Sequence, residues 1–238
     1  MKSIVVIPAR YGSTRLPGKP LLDIAGKPLI EWVYERARQS TLADQVLIAT
    51  DDERIRERCV AFGAPVVMTV PECRSGTDRV HEAVAAREGE IIINLQGDEP
   101  EIRGDMIDTL IRTMERERPE MATLCSFIDD PRDYKSPHVV KCVLDRNNFA
   151  LYFSRAPLPF LQRTIAIPLY KHIGIYAFSR PFLETFVALP KGRLEEAESL
   201  EQLRALEAGY RIKTVLVEYD GVGIDTEADL ERARKRMG

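Results

Sequence analysis

Four short apolar runs in the first half of the chain constrain its fold more than any other feature. They lack the polar alternation of half-exposed strands, which predicts parallel strands that are covered on both faces. Helical patterns separate the runs, and this alternation predicts an α/β fold with a doubly wound, mostly parallel sheet. The predicted strands are residues 4–7, 46–50, 65–68 and 90–95, and the predicted helices are about 28–40, 52–62 and 77–88.

The pattern becomes less regular after about residue 128, which predicts an α+β portion within the α/β fold. Residues 155–170 contain three prolines among apolar and basic residues, so we expect a long loop there. The predicted strands of this half are residues 139–144, 150–153, 172–178 and 212–217, and the predicted helices are 195–208 and 228–237.

Charge and hydropathy exclude several classes of protein. The net charge of −3 argues against attraction of the whole molecule to nucleic acid or to an anionic membrane. No apolar run approaches the roughly 20 residues that a membrane span needs, and the N-terminus lacks a signal-peptide pattern, so we expect a cytoplasmic protein. The four cysteines form no C-x-x-C pair, which favours small buried side chains over a disulfide or zinc site.

A basic, glycine-containing loop follows the first predicted strand. Loops at the carboxyl ends of parallel strands are where open α/β sheets bind nucleotides. The loop carries Arg10, Arg15 and Lys19, and three cations at this place predict a site for a nucleoside triphosphate. The alternative is a plain connection with a solvated basic rim.

Two acidic segments predict a metal site. Asp98 directly follows the fourth strand, and Mg²⁺ needs only one or two protein carboxylates when substrate phosphates and water complete its coordination. Asp225, beside two glycines near the C-terminus, is the candidate second ligand. Asp225 or Thr226 could equally cap the last helix, and Asp98 could simply belong to a turn.

Two further groups of residues are candidates for binding substrates. Arg74, Ser75 and Thr77 open a predicted helix, where free N–H groups suit a base, ribose or phosphate, although a plain helix cap is equally compatible with the sequence. In the irregular half, Lys141, Arg155 and His172 could hold a second, anionic substrate, although each taken singly is typical of a surface residue.

Common nucleotide-binding motifs are absent from the sequence. Five residues separate Gly12 from Gly18, and Pro20 stands where a Walker A loop has Ser or Thr, which argues against a P-loop kinase. No G-x-G-x-x-G motif follows a strand, and the sequence therefore lacks the signature of a dinucleotide cofactor site.

Eight motifs, in order over nearly the whole chain, resemble those of the 3-deoxy-manno-octulosonate (Kdo) cytidylyltransferase, or CMP-Kdo synthetase, family. They are Ile7-Pro8-Ala9-Arg10-Tyr11, Ser13-Thr14-Arg15-Leu16-Pro17-Gly18-Lys19-Pro20, Ser75-Gly76-Thr77, Gln96-Gly97-Asp98-Glu99-Pro100, Tyr152-Phe153-Ser154-Arg155, His172-Ile173-Gly174-Ile175-Tyr176, Leu200-Glu201-Gln202-Leu203-Arg204 and Gly223-Ile224-Asp225-Thr226. The resemblance implies a Rossmann-like nucleotidyltransferase domain over residues 1–238, with a sugar-binding and dimerisation subdomain at about 129–209.

The resemblance also implies an activity and a set of site residues. The activity is transfer of CMP from CTP to Kdo with Mg²⁺ and release of pyrophosphate, which activates Kdo for lipopolysaccharide biosynthesis. By this resemblance Arg10, Arg15 and Lys19 contact the triphosphate, and Asp98 and Asp225 bind the metal. The nucleotide set adds Ala9, Arg74, Ser75 and Thr77, and the sugar set is Gln96, Arg155, His172, Tyr176, Glu201 and Gln202.

Other interpretations of the sequence remain open. One is a nucleotidyltransferase for another acceptor, such as sialic acid or a sugar phosphate, and another is a nucleotide-binding protein without catalytic activity. The resemblance further implies a homodimer, for which Phe149, Leu151 and Phe153, at alternate positions of one strand, are candidates for a shared buried face.

Overall fold

The structure is a computed structural model that describes residues 1–12, 16–163, 167–221 and 223–238. These residues form two compact units. The first unit comprises Met1–Arg112 and Gly221–Gly238, and the second comprises Thr113–Asp220. The subdomain predicted at about 129–209 lies inside the second unit, and its division from the remaining chain stays a prediction.

The secondary structure alternates between strands and helices in the first part of the chain. The elements there are β1 (Ser3–Ala9), a 3-10 turn (Lys19–Leu21), β2 (Asp23–Ile24), β3 (Lys27–Pro28), α1 (Leu29–Ala37), β4 (Gln45–Thr50), α2 (Glu53–Ala61), β5 (Val66–Met68), α3 (Gly76–Val84), β6 (Ile91–Leu95) and α4 (Gly104–Glu117). The later elements are β7 (Met121–Phe127), α5 (Pro131–Lys135), β8 (Lys141–Leu144), β9 (Ala150–Ser154), β10 (Tyr170–Ser179), α6 (Arg180–Ala188), α7 (Arg193–Glu198), α8 (Leu203–Glu207), β11 (Ile212–Leu216) and α9 (Glu227–Met237).

The first unit is built on four parallel strands in the order β6–β1–β4–β5. In this register Ile4 lies opposite Gln45 on one side and Ile92 on the other. Consecutive residues of β1 and β6 are fully buried, because both faces of a parallel sheet are covered. A short antiparallel pair, β2 with β3, lies outside this sheet. The four strands and three helices predicted for this region are confirmed.

Polar side chains fix where the helices of the first unit begin. Asp52 caps α2 and Ser75 caps α3, each by accepting a hydrogen bond from a backbone N–H of the first turn. Thr226 caps α9 and forms a capping box with Asp229. The apolar positions of α1 recur at helical spacing and are buried, which fixes the face that packs inward.

The second unit has a mixed arrangement of strands. β7 pairs parallel with β11 and antiparallel with β10, while β8 pairs antiparallel with both β10 and β9. Pairing of β10 with β7 shifts register between Ile173 and Tyr176, which interrupts the regular ladder there. Parallel strands in the first unit and mixed strands in the second confirm the predicted α/β fold class with an α+β portion.

One prediction for the second half was wrong. Residues 195–208 form two short helices, α7 and α8, because Ser199 adopts a left-handed conformation with φ of 52° that ends α7. In the single chain Leu151 is 62% exposed and Phe153 is 0% exposed, and their part in a dimer interface stays a prediction. A register shift in the pairing of β8 with β9 leaves Leu151 without a partner in the register and reverses the alternation there.

Among the residues that the structure describes, no helix is long and apolar enough to cross a membrane.

Candidate active site

The loop after β1 brings Lys19 to the carboxyl end of the parallel strands. Ala9 is buried at the end of β1, and Arg10 is exposed just beyond it. The Gly18 N–H donates to the Tyr11 carbonyl at 3.0 Å, which closes the loop immediately before Lys19. Gly18 has φ of +67°, and a Cβ there would lie 3.1 Å from the Tyr11 ring, so this position requires glycine. Arg15, with its neighbours Ser13 and Thr14, falls outside the described residues.

Lys19 bridges the two carboxylates that were predicted to bind metal. Its Nζ lies 2.7 Å from Asp98 Oδ2 and 3.1 Å from Asp225 Oδ1. The three side chains are 15%, 29% and 34% exposed respectively, so they are only partly screened by water. Burial alone would lower the pKa of Lys19, but the charges and hydrogen bonds of Asp98 and Asp225 outweigh it and raise that pKa.

The two acids converge because their loops are bonded to each other within the first unit. Asp98 follows Gly97, where a Cβ would lie only 3.1 Å from the Pro8 carbonyl oxygen, so glycine lets the chain after β6 pass close to β1. The Ile224 N–H donates to the Asp98 carbonyl at 2.9 Å. Thr226, not Asp225, caps α9, and metal binding by Asp225 stays a prediction.

A polar network connects α3 to the end of β6. Ser75 caps α3, and the exposed Arg74 pairs with Asp78 at 2.8 Å, while a nucleotide-binding role for either residue stays a prediction. Thr77 is buried and accepts a hydrogen bond from Asn94 Nδ2 at 3.0 Å. Gln96 Nε2 in turn donates to Asn94 Oδ1 at 3.1 Å. The network therefore fixes the orientation of the Gln96 amide.

In the second unit, backbone carbonyls hold Arg155. Its Nε donates to the Glu198 carbonyl at 2.8 Å, and its Nη1 donates to the Pro137 carbonyl at 3.0 Å. The Glu198 carboxylate accepts from the Arg155 N–H at 2.9 Å. These bonds position the guanidinium from several sides, which is the kind of preorganisation that carboxylate recognition needs.

Lys141 is fully buried, and its ammonium faces main-chain oxygens. Its Nζ donates to the carbonyls of Ser136 at 2.7 Å, Val139 at 2.6 Å and Arg155 at 2.5 Å. Three acceptors match the three donors of an ammonium, so in this structure Lys141 braces the turn that carries Arg155. Burial, with repulsion from Arg155, lowers the pKa of Lys141. Direct contact of Lys141 with substrate stays a prediction without support from this geometry.

His172, Tyr176 and Gln202 form a second cluster in the same unit. The Tyr176 hydroxyl donates to Gln202 Oε1 at 3.0 Å, and Gln202 Nε2 is buried with no hydrogen-bond partner among the described residues. His172 packs edge-on against Phe153 and at a tilt against Tyr176, with ring centroids 5.2 Å away in each case. Burial lowers the pKa of His172 to about 3, so its ring is neutral near pH 7. In the same unit, Glu201 Oε1 lies 3.7 Å from Arg204 Nη2.

Three residues that support these clusters were not identified from the sequence. They are Asn94 in β6, Thr123 in β7 and Glu198 at the end of α7. Asn94 was detectable in principle, because a polar amide inside the apolar run of residues 91–95 is costly unless it is hydrogen-bonded. Thr123 and Glu198 carry no comparable local signal.

Lys19 and Asp98 follow the parallel strands β1 and β6, and open α/β enzymes bind their ligands in the crevice beyond the carboxyl ends of such strands. A family model described as cytidylyltransferase matches residues 4–213. The chain belongs to the CMP-Kdo synthetase family of cytidylyltransferases. The family predicted from the sequence motifs is thereby confirmed.

Individual relatives match over nearly their full length. A 3-deoxy-manno-octulosonate cytidylyltransferase of Thermodesulfovibrio yellowstonii is 50% identical, with 99% of this chain and 98% of the relative covered. An 8-amino-3,8-dideoxy-manno-octulosonate cytidylyltransferase of Shewanella baltica is 46% identical, with 100% and 99% covered. A solved structure of CMP:2-keto-3-deoxy-manno-octonic acid synthetase complexed with CTP is 47% identical, with a TM-score of 0.94 and coverage of 100% and 98%.

Proposed function

We propose that this protein transfers CMP from CTP to Kdo and releases pyrophosphate. The observation that carries the proposal is the convergence of Lys19, Asp98 and Asp225 within hydrogen-bonding distance. Attack of a sugar hydroxyl on the α-phosphorus needs no protein nucleophile, because positioning and charge neutralisation suffice. The site supplies groups of both charges for this purpose. The full-length similarity to a Kdo cytidylyltransferase supports the choice of substrates.

The first unit would bind the triphosphate and Mg²⁺. Asp98 and Asp225 supply hard oxygen ligands, both partly exposed, and two carboxylates fit the coordination of Mg²⁺ with substrate phosphates. When bound, Mg²⁺ would neutralise phosphate charge and polarise the reacting phosphate. Lys19 would turn from the carboxylates to the leaving pyrophosphate and, with Arg10 and Arg15, stabilise its charge.

The nucleoside would lie beside the start of α3. Thr77 is held by Asn94 at the end of the parallel strands, and Ala9 ends the neighbouring β1. Arg74 and Ser75 lie at the N-terminus of α3, where backbone N–H groups and the helix dipole favour acceptor and anionic groups. We propose that these four residues, with Arg10, Arg15 and Lys19, form the nucleotide site.

The sugar acid would bind to the preorganised polar groups. Arg155 supplies a fixed guanidinium for the Kdo carboxylate, and the neutral His172 supplies a hydrogen-bonding ring without charge. Gln202 offers a buried amide N–H, and Tyr176 holds that amide in place. We assign Glu201, in the same unit, to a hydroxyl group of the sugar as well.

An acceptor panel tests the proposed activity. Pyrophosphate release is measured with CTP, Mg²⁺ and, separately, Kdo, 8-amino-Kdo and sialic acid. We expect release with Kdo and none with sialic acid. Preference for 8-amino-Kdo, the acceptor named for the Shewanella relative, would reassign the sugar, and CTP binding without release for every acceptor would contradict the enzyme assignment.

We further propose a homodimer that buries apolar surface of the second unit. Leu151, Phe160 and Leu161 are 62%, 85% and 42% exposed, and large exposed apolar side chains close in sequence favour a protein interface. Sedimentation of the wild type and of Phe160→Ser tests this. A monomeric wild type at micromolar concentration would contradict the proposal.

A further inference from the structure

Thr123 contacts the ring of His172 and has no role in the site predicted from the sequence. Thr123 is fully buried in the middle of β7. Its Oγ1 lies 3.0 Å from His172 Nε2 and 2.7 Å from the carbonyl oxygen of Ile175. A single hydroxyl therefore serves two neighbours at once, one of which is a proposed substrate-binding ring.

The carbonyl of Ile175 determines the direction of the hydrogen bonds that the Thr123 hydroxyl makes. A carbonyl oxygen can only accept, so the hydroxyl hydrogen of Thr123 points at Ile175. Ile175 lies where the pairing of β10 with β7 shifts register, and it has no partner in that register. The Thr123 oxygen is left with lone pairs only, and it must accept from His172 Nε2.

This order of donor and acceptor determines the tautomer of His172. Burial keeps the ring neutral near pH 7, so it carries one N–H. If Nε2 donates to Thr123, then Nδ1 carries no hydrogen and is an acceptor. The rings of Phe153 and Tyr176 contact that of His172, with centroids 5.2 Å from its centroid in each case.

We propose that Thr123 is a positioning residue that holds His172 in the Nε2–H tautomer, so that Nδ1 can accept a hydrogen bond from a hydroxyl of the sugar acid. This inference rests on the proposed role of His172 in the sugar site. In this tautomer His172 accepts a hydrogen bond from the substrate, and its ring does not donate to the substrate carboxylate. Arg155 is then the donor to that carboxylate.

Two variants separate the hydroxyl of Thr123 from its shape. Thr123→Val keeps the branched shape and removes the hydroxyl, whereas Thr123→Ser keeps the hydroxyl and loses only a methyl group. Thr214→Val is the matched control, because Thr214 is equally buried, lies opposite Thr123 in β11 and donates its hydroxyl to the Asn148 carbonyl. The chain has only three histidines, so the ring nitrogens of His172 can be resolved by ¹⁵N NMR.

The NMR experiment tests the tautomer without any substrate. We expect a hydrogen-bonded, exchange-protected Nε2–H in the wild type, in Thr123→Ser and in Thr214→Val. In Thr123→Val we expect this protection to be lost. A wild-type ring protonated at Nδ1, or unchanged protection in Thr123→Val, overturns the inference.

Kinetics tests the consequence for the sugar. We expect Thr123→Val to raise the KM for Kdo about tenfold, the scale of one lost hydrogen bond, and to leave the KM for CTP within about twofold. Thr123→Ser and Thr214→Val should keep both values near those of the wild type. An altered tautomer with an unchanged KM for Kdo would overturn the sugar role of His172 itself, whereas an unaltered tautomer overturns only the part given to Thr123.

Discussion

Replacing Lys19 by Met tests whether Asp98 and Asp225 form a cation site. Met keeps much of the apolar stem of Lys19 and removes the ammonium that lies 2.7 Å and 3.1 Å from the two carboxylates. Without Lys19 these carboxylates repel each other in a partly buried site. Exposed ion pairs contribute about 0–1 kcal/mol and breaking a buried pair costs about 3–5 kcal/mol, so an intermediate loss of about 2 kcal/mol is expected.

Mg²⁺ should stabilise the Lys19→Met variant and so offset the stability that the substitution removes. In the variant a divalent cation no longer competes with an ammonium for the two carboxylates, so it should bind at least about tenfold more tightly before CTP is added. Because binding to the folded state alone stabilises a protein, Mg²⁺ should restore most of the lost melting temperature, about 4–8 °C for about 2 kcal/mol.

Thermal unfolding with and without Mg²⁺ is the assay. Lys27→Met is the matched control, since Lys27 pairs with Glu35 at 2.7 Å in the same unit but at a more exposed position. We expect a small loss in that control and no special response to Mg²⁺. Equal stabilisation of Lys19→Met, Lys27→Met and the wild type by Mg²⁺ would refute the reasoning.

Three further predictions address separate parts of the site. Asp98→Ala should lose at least roughly 100-fold in turnover, as for removal of one strong electrostatic stabiliser, and near-normal pyrophosphate release would contradict the metal role. Lys141→Met leaves three carbonyls without a donor and loosens the turn that carries Arg155. It should therefore lower the melting temperature and raise the KM for Kdo more than the KM for CTP. An unchanged KM for Kdo would show that Lys141 acts on stability alone. His172 has a pKa of about 3 when folded and 6.5 as a free side chain, so the unfolded chain binds the extra proton first. The contribution of His172 to stability should be complete above pH 6.5 and decline as the pH falls towards 3. The free energies of unfolding of wild type and His172→Gln, measured in urea, should therefore differ less at pH 5 than at pH 7. A constant difference would contradict the burial of a neutral ring.

The parallel part of the fold was predictable because its signal is local. Uninterrupted apolar runs such as residues 4–7 and 90–95 indicate strands covered on both faces, and the structure has β1 and β6 there. The broken helix at 195–208 was not predictable in the same way. Its helical pattern continues across Ser199, and only the left-handed backbone of that residue ends α7.

The candidate site was predictable to the extent that loops at strand ends share one edge of a sheet. That rule brings Lys19 and Asp98 together from the sequence. The rule does not tell which of Asp225 and Thr226 caps α9, because both residue types cap helices well. In the structure Thr226 caps α9 and forms a capping box with Asp229, and the Asp225 carboxylate pairs with Lys19 instead.

Residues that act through others were the hardest to predict. Lys141 was expected at the substrate, yet its ammonium donates to three carbonyls, two from the turn just before it and one from Arg155. Thr123 was not singled out at all, since an isolated threonine in a strand is ordinary. Such roles depend on hydrogen-bond partners that only tertiary structure supplies.

A crystal structure with CTP, Kdo and Mg²⁺ tests the central claim most directly. We predict that carboxylate oxygens of Asp98 and Asp225 both coordinate Mg²⁺ on the triphosphate, with the Lys19 ammonium moved to phosphate oxygens. Carboxylates that face different regions, or a metal held without either of them, would contradict the account.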